Sequence, residues 1–358
     1  MSDPRRRGTG WDRDDARLVE NLRLDISASP HLKAPDSTPT IMWNVVYSLV
    51  PVVAVSIYYF GPSAVIVLVA SILGAVLTER FLGPKGATRD GSAMITGLLL
   101  GLILPAGIPA WMAFLGGVFG IGAGKIIFGG LGQNVFNPAL LGRAFLQAAF
   151  PAALTTWPAQ PESWWALRGP NLALPLMTGS APDVTTEATP LGLMKFEGQG
   201  TELPDLLLGT TGGSLGETAG VLILLCGLYL AARNFLNWRI PVSVLLSVAL
   251  LSGLFFLIDP TRYPSPMFML FSGGLMIGAW YMATDMVTSP VTNLGAWVFG
   301  IGIGVLVVLI RIWGGLPEGV MYAILFMNAL VPFINRWTRP RVFGHDRGRA
   351  VPAGEGAG

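Results

Sequence analysis

Ten apolar runs alternate with polar segments along the chain, five on each side of one long polar stretch at residues 151–216. A helix needs about 20 mostly apolar residues to cross the hydrocarbon of a bilayer. The third and fifth runs are shorter and are flanked by Gly and Pro, which is typical of broken or tilted helices. The pattern predicts an all-α polytopic membrane protein with about ten transmembrane helices in two five-helix halves. The runs are 41–60, 62–82, 93–104, 109–128, 138–150, 217–232, 240–258, 265–284, 294–312 and 318–335.

Composition agrees with this pattern and excludes several classes of site. Apolar residues make up 52% of the chain, charged residues 12%, and the mean hydropathy is +0.58, whereas soluble domains have about 25% charged residues. The single cysteine, Cys226, excludes a disulfide, an iron–sulfur cluster and a Cys-rich zinc site within this chain. His31 and His345 lie outside the apolar runs, so paired histidines do not ligate haem in the membrane. We predict no metal site, no catalytic residue and no nucleic-acid partner.

The distribution of Lys and Arg predicts the orientation. If the Arg-rich N-terminal segment is cytoplasmic, ten crossings return the Arg-rich tail to the same side, and the central loop lies outside. Because no apolar run precedes Ile41, we expect no cleavable signal peptide. The predicted parts are a cytoplasmic segment at 1–40, membrane halves at 41–150 and 217–336, an extracytoplasmic loop at 151–216 and a cytoplasmic tail at 337–358. The cations of the internal loops are Arg80, Lys85 and Arg89, then Lys125 and Arg143, then Arg233 and Arg239.

The two halves also echo each other in sequence. Residues 128–139 resemble 281–291, and 79–82 resemble 233–236, at an offset of roughly 152 to 154 residues, as internal repeats would. Successive halves of five helices should have opposite topology, yet the charge pattern places both echoed loops in the cytoplasm. Either the short segments do not cross fully, or the echo is chance composition.

Two glycine-rich stretches, at 116–125 and 295–304, have a structural explanation. Lys125 is followed by Ile126 and not by Ser or Thr, and the surroundings are apolar, so a phosphate-binding loop is disfavoured. Small residues at this spacing are typical of close helix contacts in membranes.

Polar residues at the helix breaks leave two interpretations open. Gln133, Asn134, Asn137 and Arg143 can bind a cofactor edge, an ion or only one another, since polar groups at membrane depth need partners. Asp285, beside Thr284, is either an ordinary boundary carboxylate or a group that ligates sodium or carries a proton. The tryptophans that follow the fifth run favour interface anchoring over flavin stacking; these are Trp157, Trp164 and Trp165.

The central loop carries the most informative segment, residues 183–190, with the sequence DVTTEATP. A loop this long between apolar helices is usually functional or disordered. Asp183, Thr186, Ala188 and Thr189 resemble the attachment sequence at which a flavin transferase joins FMN to a threonine through a phosphoester bond. Thr189 precedes Pro190 and is the expected acceptor, with Thr185 and Thr186 as competing hydroxyls.

Three segments together resemble the RnfD/NqrB membrane subunits of ion-translocating electron-transfer complexes, over nearly the whole chain. They are Ser29-Pro30-His31, the stretch 128–139 with Asn134 and Asn137, and the attachment sequence. Glu187 departs from the pattern, because the family commonly has a small residue there. Because it lacks a long N-terminal extension, the chain resembles the RnfD branch more than the NqrB branch.

The resemblance implies the RnfD component of an Rnf complex in the bacterial inner membrane, with a urea-transporter-like fold. It implies covalent FMN on Thr189 in the periplasm and, in some members, a second, noncovalent flavin, riboflavin, for which Asn134 and Asn137 are candidate residues. It implies partner subunits with iron–sulfur clusters and flavins, the flavin transferase and membrane lipid. The assembled complex would couple electron transfer between ferredoxin and NAD to Na+ or H+ movement. The alternatives are a solute channel or transporter without redox activity, and a structural scaffold.

Overall fold

The computed structural model describes residues 37–84, 86–158, 163–175, 188–209, 211–217 and 220–340. In the first part of the chain the helices are α1 Thr38–Phe60, α2 Pro62–Leu82, α3 Ser92–Leu102, α4 Ala110–Ile121 with a π-helical turn at Gly122–Ile126, α5 Pro138–Ala149 and α6 Pro151–Thr155. Two short helices follow in the central loop, α7 Pro190–Gly192 with a π-helical turn at Leu193–Glu197, and α8 Leu203–Leu208. The remaining helices are α9 Gly220–Ala232, α10 Arg239–Ile258, α11 Pro266–Phe271, α12 Leu275–Ile277 with a π-helical turn at Gly278–Met282, α13 Asn293–Trp313 and α14 Val320–Trp337.

The predicted all-α polytopic membrane class is confirmed. Among the described residues, five helices are long and apolar enough to cross a membrane, namely α1, α2, α10, α13 and α14. The apolar helices α3, α4 and α9 are shorter. Each predicted run therefore coincides with a helix or with a helix interrupted by a break.

The break after α3 lies where backbone pairs with backbone. After α3 ends, the chain continues without helix and pairs with the segment that precedes α9. The N–H of Gly216 donates to the carbonyl of Leu102 at 2.5 Å, and that of Leu215 to Leu104 at 3.2 Å. The hydroxyl of Ser56 donates to the carbonyl of Leu215 at 2.6 Å. Non-helical backbone at membrane depth is tolerated only where protein groups or a water-filled cavity satisfy it.

Hydrogen bonds between neighbouring elements define two ends of the bundle. At one, the Lys125 end, Lys125 contacts Glu79 at the end of α2 and Ser92 at the start of α3. At the other, the Thr189 end, the central loop meets the start of α2, because Asn171 accepts a hydrogen bond from Ser63 at 2.8 Å. The first helix, α1, therefore runs from the Lys125 end to the Thr189 end, whereas α9 runs in the opposite direction.

The two halves repeat the same packing order at an offset different from the predicted one. The pairs α2–α3, α2–α4 and α4–α5 in the first half correspond to α10–α11, α10–α13 and α13–α14 in the second. Corresponding helices start about 180 residues apart. The echo at 152 to 154 residues matches the end of α2 with the segment after α9, which are not equivalent, so it does not mark the repeat. The conflict between the sequence echo and the charge pattern therefore disappears. The first crossings of the two halves run in opposite directions, as expected for successive halves of five helices.

The glycine stretches allow close helix contact, as predicted. A methyl group on Gly74 would overlap the carbonyl oxygen of Phe114, and one on Gly117 would lie 2.5 Å from that of Ser71. In the second half, a methyl group on Gly300 would lie 2.8 Å from the carbonyl oxygen of Ile240. Any side chain at these positions would push α2 from α4 or α10 from α13.

Candidate cofactor site

Thr189 lies at the start of a short helix and is half-buried. Its Oγ accepts a hydrogen bond from the N–H of Gly192 at 3.1 Å, and Pro190 occupies the first helical position. Threonine at the cap followed by proline is a common helix start, since the hydroxyl satisfies an unpaired N–H and proline has none to satisfy. The sequence therefore fixes the position of this hydroxyl locally.

Two anchors hold α7 against the membrane helices. Leu191 is buried with Leu206 and Phe268 in a small apolar cluster. The Nζ of Lys195 donates to four carbonyl oxygens at the end of α13 and just after it, those of Ile310 at 3.3 Å, Arg311 at 3.0 Å, Gly314 at 2.5 Å and Leu316 at 2.9 Å. A cation is favourable there, because the last carbonyls of a helix carry partial negative charge. Partial burial lowers the pKa of Lys195 below its ordinary value.

A cavity of about 610 Å³ opens beside Thr189, between α5 and α14. This volume lies within the usual range of small-molecule sites, about 300–1,000 Å³. Its wall combines aromatic and aliphatic side chains with polar groups, the composition that such sites commonly have. The lining includes Trp157, Leu154, Phe196 and Tyr322 on the apolar side, and Arg143, Gln147, Thr155, Glu197, Glu217 and Glu318 on the polar side.

A partly buried ion pair crosses the wall of this cavity. Arg143 on α5 donates to the Oε2 of Glu318 at 2.9 Å, and the N–H of Gly274 donates to the other oxygen of that carboxylate at 2.7 Å. Glu318 thus joins the first half of the bundle to the helix break at 272–274. The prediction that Arg143 is a cation of an internal loop is wrong. It lies within α5 and is buried, because a partner 175 residues away satisfies its charge.

The predicted polar cluster is divided between two sites. Arg143 lines the Thr189 cavity, whereas Asn134 and Asn137 line a cavity of about 90 Å³ towards the Lys125 end, and Gln133 is exposed. Asp285 lines the smaller cavity and accepts hydrogen bonds from Val287 and Thr288, both at 3.2 Å.

Of the predicted attachment residues, the structure describes Ala188 and Thr189 only. Asp183 and Thr186 lie outside the described residues, together with Thr185 and Glu187. Ala188 is exposed beside the cavity that Thr189 lines.

The tryptophans also separate. Trp157 lines the Thr189 cavity. Trp164 and Trp165 pack edge to face, with ring centroids 4.7 Å apart, and are largely exposed. Exposed tryptophans at the end of a bundle are typical of interface anchors.

The smaller cavity is a poor match for the predicted noncovalent flavin. Asn137 caps α5 by accepting from the N–H groups of Ala139 and Leu140, and its amide donates to the carbonyl of Met282 at 3.2 Å. The Oδ1 of Asn134 is buried and lacks a hydrogen-bond partner, which is the kind of group a ligand could satisfy. The volume is nevertheless below the usual range for ligand sites. The noncovalent flavin therefore stays a prediction for this cavity.

Sequence analysis missed a buried charge cluster at the Lys125 end. Lys125 contacts Glu79 and Ser92, and its Nζ lies 3.8 Å from a carboxylate oxygen of Asp90. The signal was present, since Glu79 and Lys125 both lie inside apolar runs, where an ionisable residue needs a partner and is a functional candidate. Counting Lys125 as a loop cation concealed it.

Comparison with known proteins decides the family. A profile of the NQR2, RnfD, RnfE family matches residues 25–344. The chain belongs to this family.

Three relatives are similar along almost their whole length, and each is the D component of a larger complex. The chain is 41% identical to that component of the proton-translocating ferredoxin:NAD(+) oxidoreductase complex of Clostridium ljungdahlii, over 93% of this chain and 99% of that protein. It is 42% identical to that of the ion-translocating oxidoreductase complex of Stutzerimonas stutzeri, over 88% and 95%. It is 38% identical to that of the Na(+)-translocating ferredoxin:NAD(+) oxidoreductase complex of Acetobacterium woodii, over 91% and 97%.

These relatives confirm the predicted resemblance to the RnfD branch. Because the alignments extend over almost the full length of both partners, the similarity includes both membrane halves and the central loop. The Thr189 cavity therefore lies in a member of the NQR2, RnfD, RnfE family.

Proposed function

We propose that this chain is the RnfD component of an ion-translocating ferredoxin:NAD oxidoreductase complex and relays electrons through FMN bound covalently to Thr189. The observation that carries this proposal is the position of the Thr189 hydroxyl at the wall of a cavity of about 610 Å³. A half-buried hydroxyl beside an exposed Ala188 is accessible to a transferase. A cofactor joined to it would reach the cavity without any movement of the membrane helices.

The side chains around the cavity suit a flavin. Trp157, Phe196 and Tyr322 offer aromatic surfaces for a planar ring. Arg143 and Gln147 follow each other by one helical turn on α5 and offer hydrogen-bond donors on one wall. The flavin supplies the electron-transfer chemistry, and the protein binds it, orients it and sets its surroundings.

The charges at the two ends of the bundle support a cytoplasmic Lys125 end and an extracytoplasmic Thr189 end. Arg80, Arg89, Arg233 and Arg239 lie towards the Lys125 end, and cytoplasmic loops carry the excess of Lys and Arg. In a bacterium, this orientation places Thr189 on the outer side of the inner membrane.

The proposed complex couples electron transfer to ion movement, as the names of the relatives state for their own complexes. One relative is named for protons and another for Na+. Similarity to both therefore leaves the coupling ion of this chain open, and the proposal covers either ion. Partner subunits with iron–sulfur clusters and further flavins complete the proposed electron path.

The attachment is tested by intact mass and in-gel flavin fluorescence of the chain made together with the transferase. We expect the mass to exceed the bare chain by FMN minus water, and we expect the increase and the fluorescence to disappear in Thr189→Ala. Thr155→Ala is the matched control, because Thr155 lines the same cavity and, within the described part of the chain, donates only to backbone carbonyls of its own helix. Thr186→Ala tests the competing hydroxyl.

A fluorescent Thr189→Ala chain would overturn the attachment site. A wild-type chain of bare mass after coexpression would overturn the redox role. It would instead favour a solute transporter, because transporters commonly have a cavity between their two halves.

A further inference from the structure

A second cavity at the Thr189 end, of about 240 Å³, lies on the other side of α7 from the Thr189 cavity, and Leu191 lines both. Among the described residues, three cations and no carboxylate line it, so its wall attracts an anion. The rest of the wall is apolar or aromatic. The lining residues are Leu191, Met194, Lys195, Arg262, Tyr263, Pro264, Phe268, Met269, Arg311, Ile312, Trp313 and Pro317.

Arg311 is the buried cation of this second cavity. Its side chain projects from the last turn of α13, and the residue is only 4% exposed. Its terminal nitrogens donate to the carbonyls of Met269 at 2.5 Å and Ser272 at 2.9 Å, while its Nε is buried without a hydrogen-bond partner. Neutral carbonyls do not cancel the charge, and a buried donor left unpaired is costly.

Glu318 does not provide a hydrogen-bond partner for the Nε of Arg311. Glu318 and Glu217 both act electrostatically on Arg311, but the hydrogen bonds that Glu318 accepts come from Arg143 and Gly274, and the Nε of Arg311 stays without a partner. Lys195 has no donor to spare either, since four carbonyls surround its three N–H groups.

Arg262 is the accessible cation. It is exposed in the turn after α10, with its guanidinium 5.6 Å from the centre of the Tyr263 ring. Asp259 lies in the same turn, where hydrogen bonds from Thr261 lower the pKa of its carboxyl and keep it ionised. Asp259 accepts from the hydroxyl and the N–H of Thr261 at 2.6 Å and 3.1 Å, and it is not among the described residues that line the cavity.

The surroundings indicate what kind of anion reaches this cavity. Exposed apolar side chains continue from it along α10 and α13, among them Leu254, Leu257, Leu309 and Trp313. Phe255 contacts both Tyr263 and Trp313, with ring centroids at 5.4 Å and 5.1 Å, which closes the aromatic rim. Aromatic residues above an exposed apolar helix surface mark the level of the lipid headgroups.

We propose that this cavity binds the phosphate of an anionic phospholipid, with Arg311 at its base and Arg262 at its mouth. The acyl chains would lie on the exposed surfaces of α10 and α13. A phosphodiester accepts hydrogen bonds from guanidinium groups through several oxygens; it would accept them from Arg262, and its charge would lie close to the buried charge of Arg311. Lipid bound here also packs against Leu191 and would brace the helix that carries Thr189.

The test uses the purified complex, stripped of lipid in detergent and then given phosphatidylglycerol, phosphatidylcholine or inorganic phosphate. Native mass spectrometry measures retained lipid, and thermal unfolding measures stabilisation. We compare Arg262→Gln with Arg233→Gln, a matched control, because Arg233 is also exposed and lies 5.3 Å from an aromatic ring, that of Phe235, at the other end of the bundle.

We expect phosphatidylglycerol to remain bound and to raise the unfolding temperature, and phosphatidylcholine and inorganic phosphate to do neither. Retention should fall several-fold in Arg262→Gln and remain in Arg233→Gln. Equal retention in the two variants would overturn the proposal, as would stabilisation by inorganic phosphate to the same extent, which would assign the site to a free anion. The result does not depend on flavin attachment, because the experiment can be repeated in the Thr189→Ala chain.

Discussion

Replacing Lys195 with methionine should release the helix that carries Thr189. Lysine has three N–H donors, and in this chain they serve four carbonyls at 2.5–3.3 Å. A hydrogen bond from a charged donor contributes about 1.5–3 kcal/mol when it is buried. Lys195 is half-buried, so in the variant water can hydrogen-bond to the carbonyls that Lys195 leaves. We therefore take a loss of about 1 kcal/mol for each N–H donor, hence about 3 kcal/mol in all. Methionine keeps the length and apolar contacts of the side chain.

A loss of about 3 kcal/mol corresponds to an opening equilibrium on the order of 100-fold larger. The amide of Leu193, which donates to the carbonyl of Thr189 at 2.9 Å, should then exchange on the order of 100-fold faster, since exchange follows local opening. Peptide-resolved hydrogen exchange of residues 188–200 measures this. Glu197→Gln is the control in the same turn, because Glu197 is exposed. Unchanged exchange in Lys195→Met would refute the view that Lys195 anchors α7.

Two further predictions concern the bundle. Glu318→Ala leaves Arg143 without the carboxylate that accepts its hydrogen bond, and because this pair is only partly buried the loss should be about 1–3 kcal/mol; thermal unfolding in detergent checks this, and an unchanged midpoint would show that the pair contributes nothing. Gly74→Ala forces a methyl group into the backbone oxygen of Phe114, so the yield of folded protein should fall sharply. Gly200→Ala, where no atom of the described residues lies within 4 Å of the added methyl group, should keep the wild-type yield on size-exclusion chromatography.

Local features of the sequence determined the helices and the position of one candidate site residue, Thr189. Hydropathy is read along the chain, so the apolar runs located the apolar helices, including the third, whose shortness reflects the break after α3. The cap formed by Thr189 and Pro190 is also local, because the hydroxyl and the N–H that it satisfies are three residues apart. The spacing of small residues likewise indicated where helices could approach each other.

Tertiary structure alone decided which distant groups meet. Arg143 and Glu318 are 175 residues apart, and Lys125 and Glu79 are 46 apart, and no local pattern states such pairings. The true register of the two halves and the clamp of Lys195 on α13 depend in the same way on how the helices pack. A charge inside an apolar run announces that it needs a partner, because leaving it unpaired in a low-dielectric interior is costly. Only the fold determines which partner it finds.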